Sequence, residues 1–331
     1  MIVLLFSTRN GMATLPVMLA RLAALAIPPG GLRMLAVDNG SSDGSGDLLR
    51  QWGKRLPLEV IQYPIAGKNQ ALNRALDHLR RSRSQPELVV ITDDDILPEK
   101  DWLVRLAQAA REQPDADLFG GRIVPQWPGP LPHWLAQLED YFGVLFAITA
   151  HRGGCCTGHD IWGPNMAVRG ALFAAGARFD PHVGPNGQAC FAMGSETEFL
   201  LRMERAGHRG YFVANACVGH QIKPGQITRQ SVLERAFRHG LGKGGRALDP
   251  APRAELVSGL LRDAGSALAS ELKALLALLR IWPRHRLRVL YGRQWQRGYV
   301  TGRIESLWPQ LAGSAIRKVR KGRNIPAVPS R

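Results

Sequence analysis

Alternation is the feature that most limits what this chain can become. Apolar runs too continuous for a half-exposed sheet lead, through turns rich in Gly, Ser, Asn or Asp, into stretches whose apolar residues have helical spacing. "MIVLLFS" precedes a helix-like stretch from Thr14 with Leu15, Met18, Leu19 and Leu22 on one face. "LRMLAVDNGSSDGSGDLL" reads as strand, turn and helix, and "LEVIQY" precedes "GKNQALNRALDHLRR", where Ala71, Leu72, Ala75, Leu76 and Leu79 share a face. "ELVVITDDD" is the next strand, and Pro98 is expected to open the next helix. Strands buried on both faces and joined by helices imply an α/β fold with a doubly wound, mainly parallel sheet. The N-terminal run has no basic segment before it and is too short for a signal sequence, so it reads as the first strand. A chain of 331 residues holds one large domain of this kind or two smaller ones.

Ligands of such sheets bind outside the carboxyl ends of the strands. The acidic turns fall there: Asp38 and Asp43 after one strand, and Asp93, Asp94 and Asp95 after another. Adjacent carboxylates at the mouth of a sheet repel and are partly desolvated, a cost that a cation offsets. An Asp-rich turn capping a helix is the competing reading, and two acidic turns on one rim favour the ligand. The first turn, "STRNG", lacks the G-x-G-x-x-G pattern, which argues against a nicotinamide fold. The four cysteines form no C-x-x-C pair and no zinc spacing, so they read as reduced thiols of a cytosolic protein.

The net charge of +16 is concentrated at one end. Residues 221–331 hold 22 basic and 6 acidic residues, leaving 21 of each before position 221. Nothing resembles a nucleic-acid module, so an anionic membrane surface or lipid phosphate is the preferred partner of this region and nucleic acid is not expected. "AELVSGLLRDAGSALASELKALLALLRIW" and "RLRVLYGRQWQRGYVTGRIESLW" contain no uninterrupted apolar stretch of ~18 residues, so no membrane-spanning helix is expected. Helices of this kind suit a membrane interface, an oligomer contact or packing against the α/β domain. "RQSVLERAFRHGLGKGGRAL" reads as a helix followed by a glycine-rich turn, and "AIRKVRKGRNIPAVPSR" as a disordered basic tail.

Taken together, "STRN", "VDNGSSDGS", "GKNQALNRAL", "ITDDDILPEKDWL", "GPNMAVRGALFAAGARFD" and "GSETEFLLRMERAGHRGYFV" followed by "VGH" resemble, in order and spacing, a family 2 glycosyltransferase of the GT-A fold. The resemblance covers roughly residues 1–225, leaving a basic helical region at 226–316 and the tail at 317–331. The thiols and the basic C-terminal region lead to the expectation of a cytoplasmic protein, peripheral on the inner face of the membrane. The resemblance implies transfer of a sugar from a nucleotide donor, by family habit a UDP-sugar, with inversion; the basic helical C-terminal region alone points to a polysaccharide or lipid-linked glycan as acceptor.

The same resemblance assigns roles. Thr8, Arg9 and Asp38 would line the nucleotide; Asp43 would join them or cap the following helix. Lys68 and Asn73 would lie near the donor, with a diphosphate contact or a solvated helix start both open for Lys68. Asp93 and Asp95 match a D-x-D motif, in which Mn²⁺ or Mg²⁺ bridges carboxylate to diphosphate. Residues i and i+2 of an extended segment face the same way, so Asp95 would bind metal, Asp93 the ribose or a metal-bound water, and Asp94 would tie down the turn. His220 matches a third-ligand position, although a satisfied strand-end histidine is equally expected. The family's acidic pair at the start of the acceptor-side helix is Ser195–Glu196 here. Glu196 is therefore the expected general base and Glu198 its competitor. Trp162 and Asn165 would lie on the acceptor side, and Arg235 and Arg238 would close over the diphosphate. The rival readings are a nucleotidyltransferase, disfavoured by the single glycine in "STRNGMATL", and a non-catalytic scaffold, disfavoured because the acidic positions are intact.

Overall fold

The computed structural model describes residues 1–82, 85–188, 190–246, 253–278 and 286–307. Two compact units divide the chain. The first comprises Met1–Pro130, Phe142–Gly187 and Ser195–Lys223; the second comprises Leu131–Tyr141, Gln188–Gly194 and Pro224–Arg331. The tail at 317–331, and residues 308–316 of the expected helical region, lie outside the described residues.

In the first unit, β1 (Ile2–Thr8), α1 (Leu15–Ala23), β2 (Leu32–Asp38), α2 (Ser45–Trp52), β3 (Leu58–Gln62), α3 (Lys68–Arg81) and β4 (Leu88–Thr92) alternate as expected. Then come β5 (Ile96–Pro98), α4 (Trp102–Glu112), β6 (Ala116–Gln126), α5 (Phe142–Phe146), β7 (Gly154–Cys156), β8 (Met166–Arg169), α6 (Gly170–Ala174), α7 (Ser195–Arg205) and β9 (Arg209–Gln221). The sheet order is β3-β2-β1-β4-β8-β6-β9-β5, with β7 also on β9. β1 to β4 are parallel to one another, β8 is antiparallel to β4 and β6, and β9 is parallel to β6.

Period-2 alternation explains the continuous apolar runs. Ile2, Leu4, Phe6, Met34, Ala36, Leu88 and Val90 enter one core with α1, α2 and α4; Val3, Leu5, Leu35, Val37, Val89 and Ile91 enter the other with α3, α6 and α7. The predicted inward face of α3 is buried as read, from Ala71 to Leu79. Pro98 is a correction. It ends the short strand β5, which pairs antiparallel with Val218–His220, and the helix begins four residues later at Trp102.

The second unit contains α8 (Arg229–Arg246), α9 (Arg253–Leu278) and α10 (Arg286–Leu307). The expected glycine-rich turn is a second correction, because α8 runs helically through Gly240, Gly242, Gly244 and Gly245. The glycines serve close approach. A Cβ on Gly240 or Gly244 would collide with the carbonyls of Trp295 or Tyr299, and one on Gly298 or Gly302 with those of Phe237 or Leu241. Two glycines spaced i, i+4 on each helix thus let the α8 and α10 backbones touch. α9 leaves Leu268, Leu272 and Leu275 exposed at 73, 59 and 53%. Among the described residues no helix is long and apolar enough to cross a membrane.

Candidate active site

The site lies at the carboxyl ends of β1, β2 and β4, where parallel strands converge on the turns the sequence marks as acidic. β1 and β2 pair so that Thr8 stands beside Asp38. Asp38 is buried, and its Oδ1 accepts the Ser41 N–H at 2.9 Å. Asp43 Oδ1 accepts from Ser45 N and Oγ at the start of α2, and Oδ2 accepts from Met12 N, lacing the first two turns together. Arg9 is exposed, with Nη1 beside Gly187.

The three aspartates do not act as an extended strand. Asp94 and Asp95 lie in a turn, so partners, not alternation, set their directions. Asp93 Oδ1 receives Lys68 Nζ at 2.6 Å. Asp94 Oδ2 accepts the Thr8 hydroxyl, which fixes the turn to β1. Burial, reinforced by the neighbouring Asp95 carboxylate, pushes the Asp94 carboxyl up to about 6. Asp95 pairs with His220 Nε2 at 3.4 Å and Lys223 Nζ at 3.3 Å. Burial opposes its ionisation, but His220 and Lys223 outweigh burial and hold the carboxyl below its ordinary value.

Pairing of β5 with β9 sets Ile96 opposite His220 and so brings the histidine to the adjacent Asp95. His220 Nδ1 donates to the Phe146 carbonyl at 2.7 Å, leaving Nε2 to face Asp95. Asp95 Oδ1 is buried without a hydrogen-bond partner. An orphaned carboxylate oxygen facing an imidazole nitrogen, with the other ring nitrogen held by a backbone carbonyl, is a donor pair suited to a divalent cation such as Mn²⁺. Among the described residues no group of three or more His, Cys, Asp or Glu side chains could hold a metal. A metal held here would have Asp95 and His220 as its protein ligands, with substrate oxygens and water completing the shell.

The start of α7 meets the β4–β5 turn through the side chain of Lys68. Glu196 Oε1 accepts from Lys68 Nζ at 2.7 Å, and Oε2 accepts from the Ser195 hydroxyl at 2.9 Å. One ammonium thus joins Asp93 to Glu196. Burial would raise the Glu196 pKa, but Lys68 prevails and the carboxyl is held below its ordinary value. The same two carboxylates outweigh burial of Lys68 and raise its pKa. Gly163 makes room: a Cβ there would lie 2.5 Å from Glu196 Oε1. Glu198 belongs elsewhere, paired with Arg202 at 2.8 Å one turn along α7.

Several expected site residues serve the scaffold. Asn165, expected on the acceptor side, is fully buried. Its Oδ1 accepts from Trp102 Nε1, and its Nδ2 donates to the Arg122 and Ala216 carbonyls, so it has no face left for an acceptor. Asn73 binds the Phe179 backbone through both ends of its amide, fixing the chain that crosses α3 rather than reaching a donor. Trp162 is half-buried against the core. Arg235 and Arg238 lie on α8 in the second unit, where the Arg238 guanidinium stacks 5.0 Å from the Phe191 ring centroid.

Three contributors escaped the sequence reading. Asn39 binds the Tyr63 and Ile65 carbonyls and the Gly67 N–H, tying β2 to the start of α3. Asn69 holds the Asp180 and Val183 carbonyls. Lys223 was detectable only as a lysine three residues after His220.

Residues 4–175, just over half of the chain, match the model of Glycosyl transferase family 2. The chain belongs to that family. Its mixed, mostly parallel sheet with helices matches the GT-A glycosyltransferase fold, and a helical C-terminal region is present. This family 2 member is 23% identical over 175 residues to a glucosyl-dolichyl phosphate glucuronosyltransferase of Haloferax volcanii. That match spans 52% of this chain and 55% of the relative, about half the length of each. Among solved structures, the mannosyltransferase PcManGT from Pyrobaculum calidifontis in complex with GDP-Man and Mn²⁺ superposes with a TM-score of 0.59 at 20% identity, over 93% of this chain and 87% of that one. S. aureus TarS 1-349 in complex with UDP gives 0.51 at 14% identity, over 93 and 92%.

Proposed function

We propose that this glycosyltransferase moves a sugar from a nucleoside diphosphate donor, a UDP-sugar first among those to be tested, to a hydroxyl of a polysaccharide or lipid-linked glycan, inverting the anomeric centre. The observation that carries the reading is the shared ammonium, Asp93–Lys68–Glu196, which sets an ionised carboxylate across from the donor-side turn. In a single displacement the base must face the acceptor hydroxyl while the diphosphate departs on the opposite side. Glu196 fits the first role. Asp38 and Thr8 border the nucleotide, and Asp95 with His220 would hold Mn²⁺ or Mg²⁺. When bound, the metal supplies charge neutralisation for the departing diphosphate.

The test is a binding and hydrolysis screen of UDP- and GDP-sugars with and without Mn²⁺. One donor should bind in a metal-dependent manner in the wild type, and Asp95→Ala should abolish the metal dependence. A folded wild type that binds no donor under any metal condition would sink the reading.

We propose further that the second unit meets an anionic membrane surface. The exposed Leu268, Leu272 and Leu275 and the 22-to-6 basic excess after residue 220 support it. The protein should co-sediment with phosphatidylserine vesicles at low salt and be released at high salt. Replacing the three leucines by serine should abolish binding. Equal sedimentation with neutral vesicles, or by the triple variant, would refute the claim.

A further inference from the structure

Glu196 sits in a setting unusual for a base. It is only 17% exposed, yet it is bonded to a lysine that is 18% exposed and also bonded to Asp93. The lysine is held from behind: its backbone N–H donates to the Pro185 carbonyl, and the neighbouring Asn69 clamps Asp180 and Val183. These contacts fix the first turn of α3, from which the Lys68 side chain bridges two carboxylates more than a hundred residues apart in sequence.

We propose that Lys68 is a positioning residue: its ammonium aims the Glu196 carboxylate and keeps it ionised, and by sharing itself with Asp93 links the acceptor side of the site to the donor side. This rests on the transferase reading above but differs from a diphosphate contact, because Lys68 acts through Glu196. The chemistry is direct. A base takes up a proton only in its ionised form, and a carboxylate removed from water without a cation protonates instead. The charged groups facing Glu196 are Lys68 from α3 and, beyond it, Asp93 from the β4–β5 turn; Gly163 brings only backbone, and Ser195 on its own helix brings a hydroxyl. Loss of Lys68 would leave Glu196 buried with the Asp93 carboxylate as its nearest charge and no cation, so Glu196 would hold its proton to higher pH.

Two measurements test this. The first follows the ¹³C-labelled Glu196 carboxyl by NMR in the donor-free protein. In the wild type it should stay ionised from pH 5 upward, and in Lys68→Gln it should titrate at least one pH unit higher than in the wild type. The second is the kcat–pH profile with the donor found in the screen. Lys68→Gln should move the acid limb up by at least one unit, losing tenfold or more at pH values below both limbs and recovering towards wild type at pH 9, while Lys68→Arg should keep the wild-type limb. A Lys68→Gln enzyme with a raised donor KM and an unmoved limb, or one reduced equally at every pH, would overturn the proposal. So would a wild-type Glu196 that titrates no lower than an ordinary glutamate, a result that needs no variant to fold. A wild type that transfers from no donor counts against the transferase reading, and the NMR titration still decides the role of Lys68.

Discussion

Glu196→Gln should lower sugar transfer by about 100- to 10,000-fold, the usual contribution of a positioned general base, while leaving donor affinity near wild type. Glutamine has nearly the same shape, and its amide oxygen can still accept from Lys68 Nζ, now 2.7 Å from Oε1. The loss would therefore be one of proton acceptance, with packing preserved. Glu198→Gln is the matched control. It removes an i,i+4 pair with Arg202 worth only a few tenths of a kcal/mol, so transfer should stay near the wild-type rate. Steady-state transfer and calorimetric donor binding on both variants decide the matter. If Glu198→Gln lost transfer and Glu196→Gln kept it, the base would lie one helical step further along and the role of the Lys68 bridge would have to be redrawn.

The fold was legible because its decisive signals are local. Runs such as Ile2–Phe6 and Leu88–Ile91 alternate between two covered faces, so they read as continuous and announce a sheet buried on both sides. The positions of Asp38, Asp93 and Asp95 were legible for the same reason, since each sits where a strand ends. What each aspartate does was not, because the partners that set it are distant in sequence: Lys68 for Asp93, Thr8 for Asp94, and His220 and Lys223 for Asp95. Pro98 shows the same limit. A proline after an acidic turn looks like a helix start until a strand 120 residues later pairs with it. Asn73 and Asn165 look like polar site residues because sequence cannot show which backbone groups would otherwise be buried without a partner. Glu196, the proposed base, went the other way: its helix-start position was readable, whereas its ammonium partner lies 128 residues away.

The glycines of α8 and α10 make the sharpest stability prediction, because neighbouring glycines on one helix should respond with opposite sign. Replacing a helical glycine by alanine ordinarily stabilises by roughly 0.5–1 kcal/mol, through lost freedom in the unfolded chain. Gly292→Ala on α10 should do so, since a Cβ there meets nothing within 4 Å. Gly298→Ala, less than two turns further on, would drive a methyl group into the Phe237 carbonyl of α8. The helices must then separate, and Tyr291, which packs against Tyr141 at 4.3 Å between ring centroids, sits on the helix that moves. Overpacking of this kind costs about 1–3 kcal/mol beyond the propensity gain. Gly244→Ala, which would meet the Tyr299 carbonyl from the other helix, should match it. Urea unfolding of the three variants, with limited proteolysis to report on the second unit, gives the comparison. If all three alanines stabilised alike, the two backbones would not be in contact and the glycine-rich run would serve flexibility instead of packing.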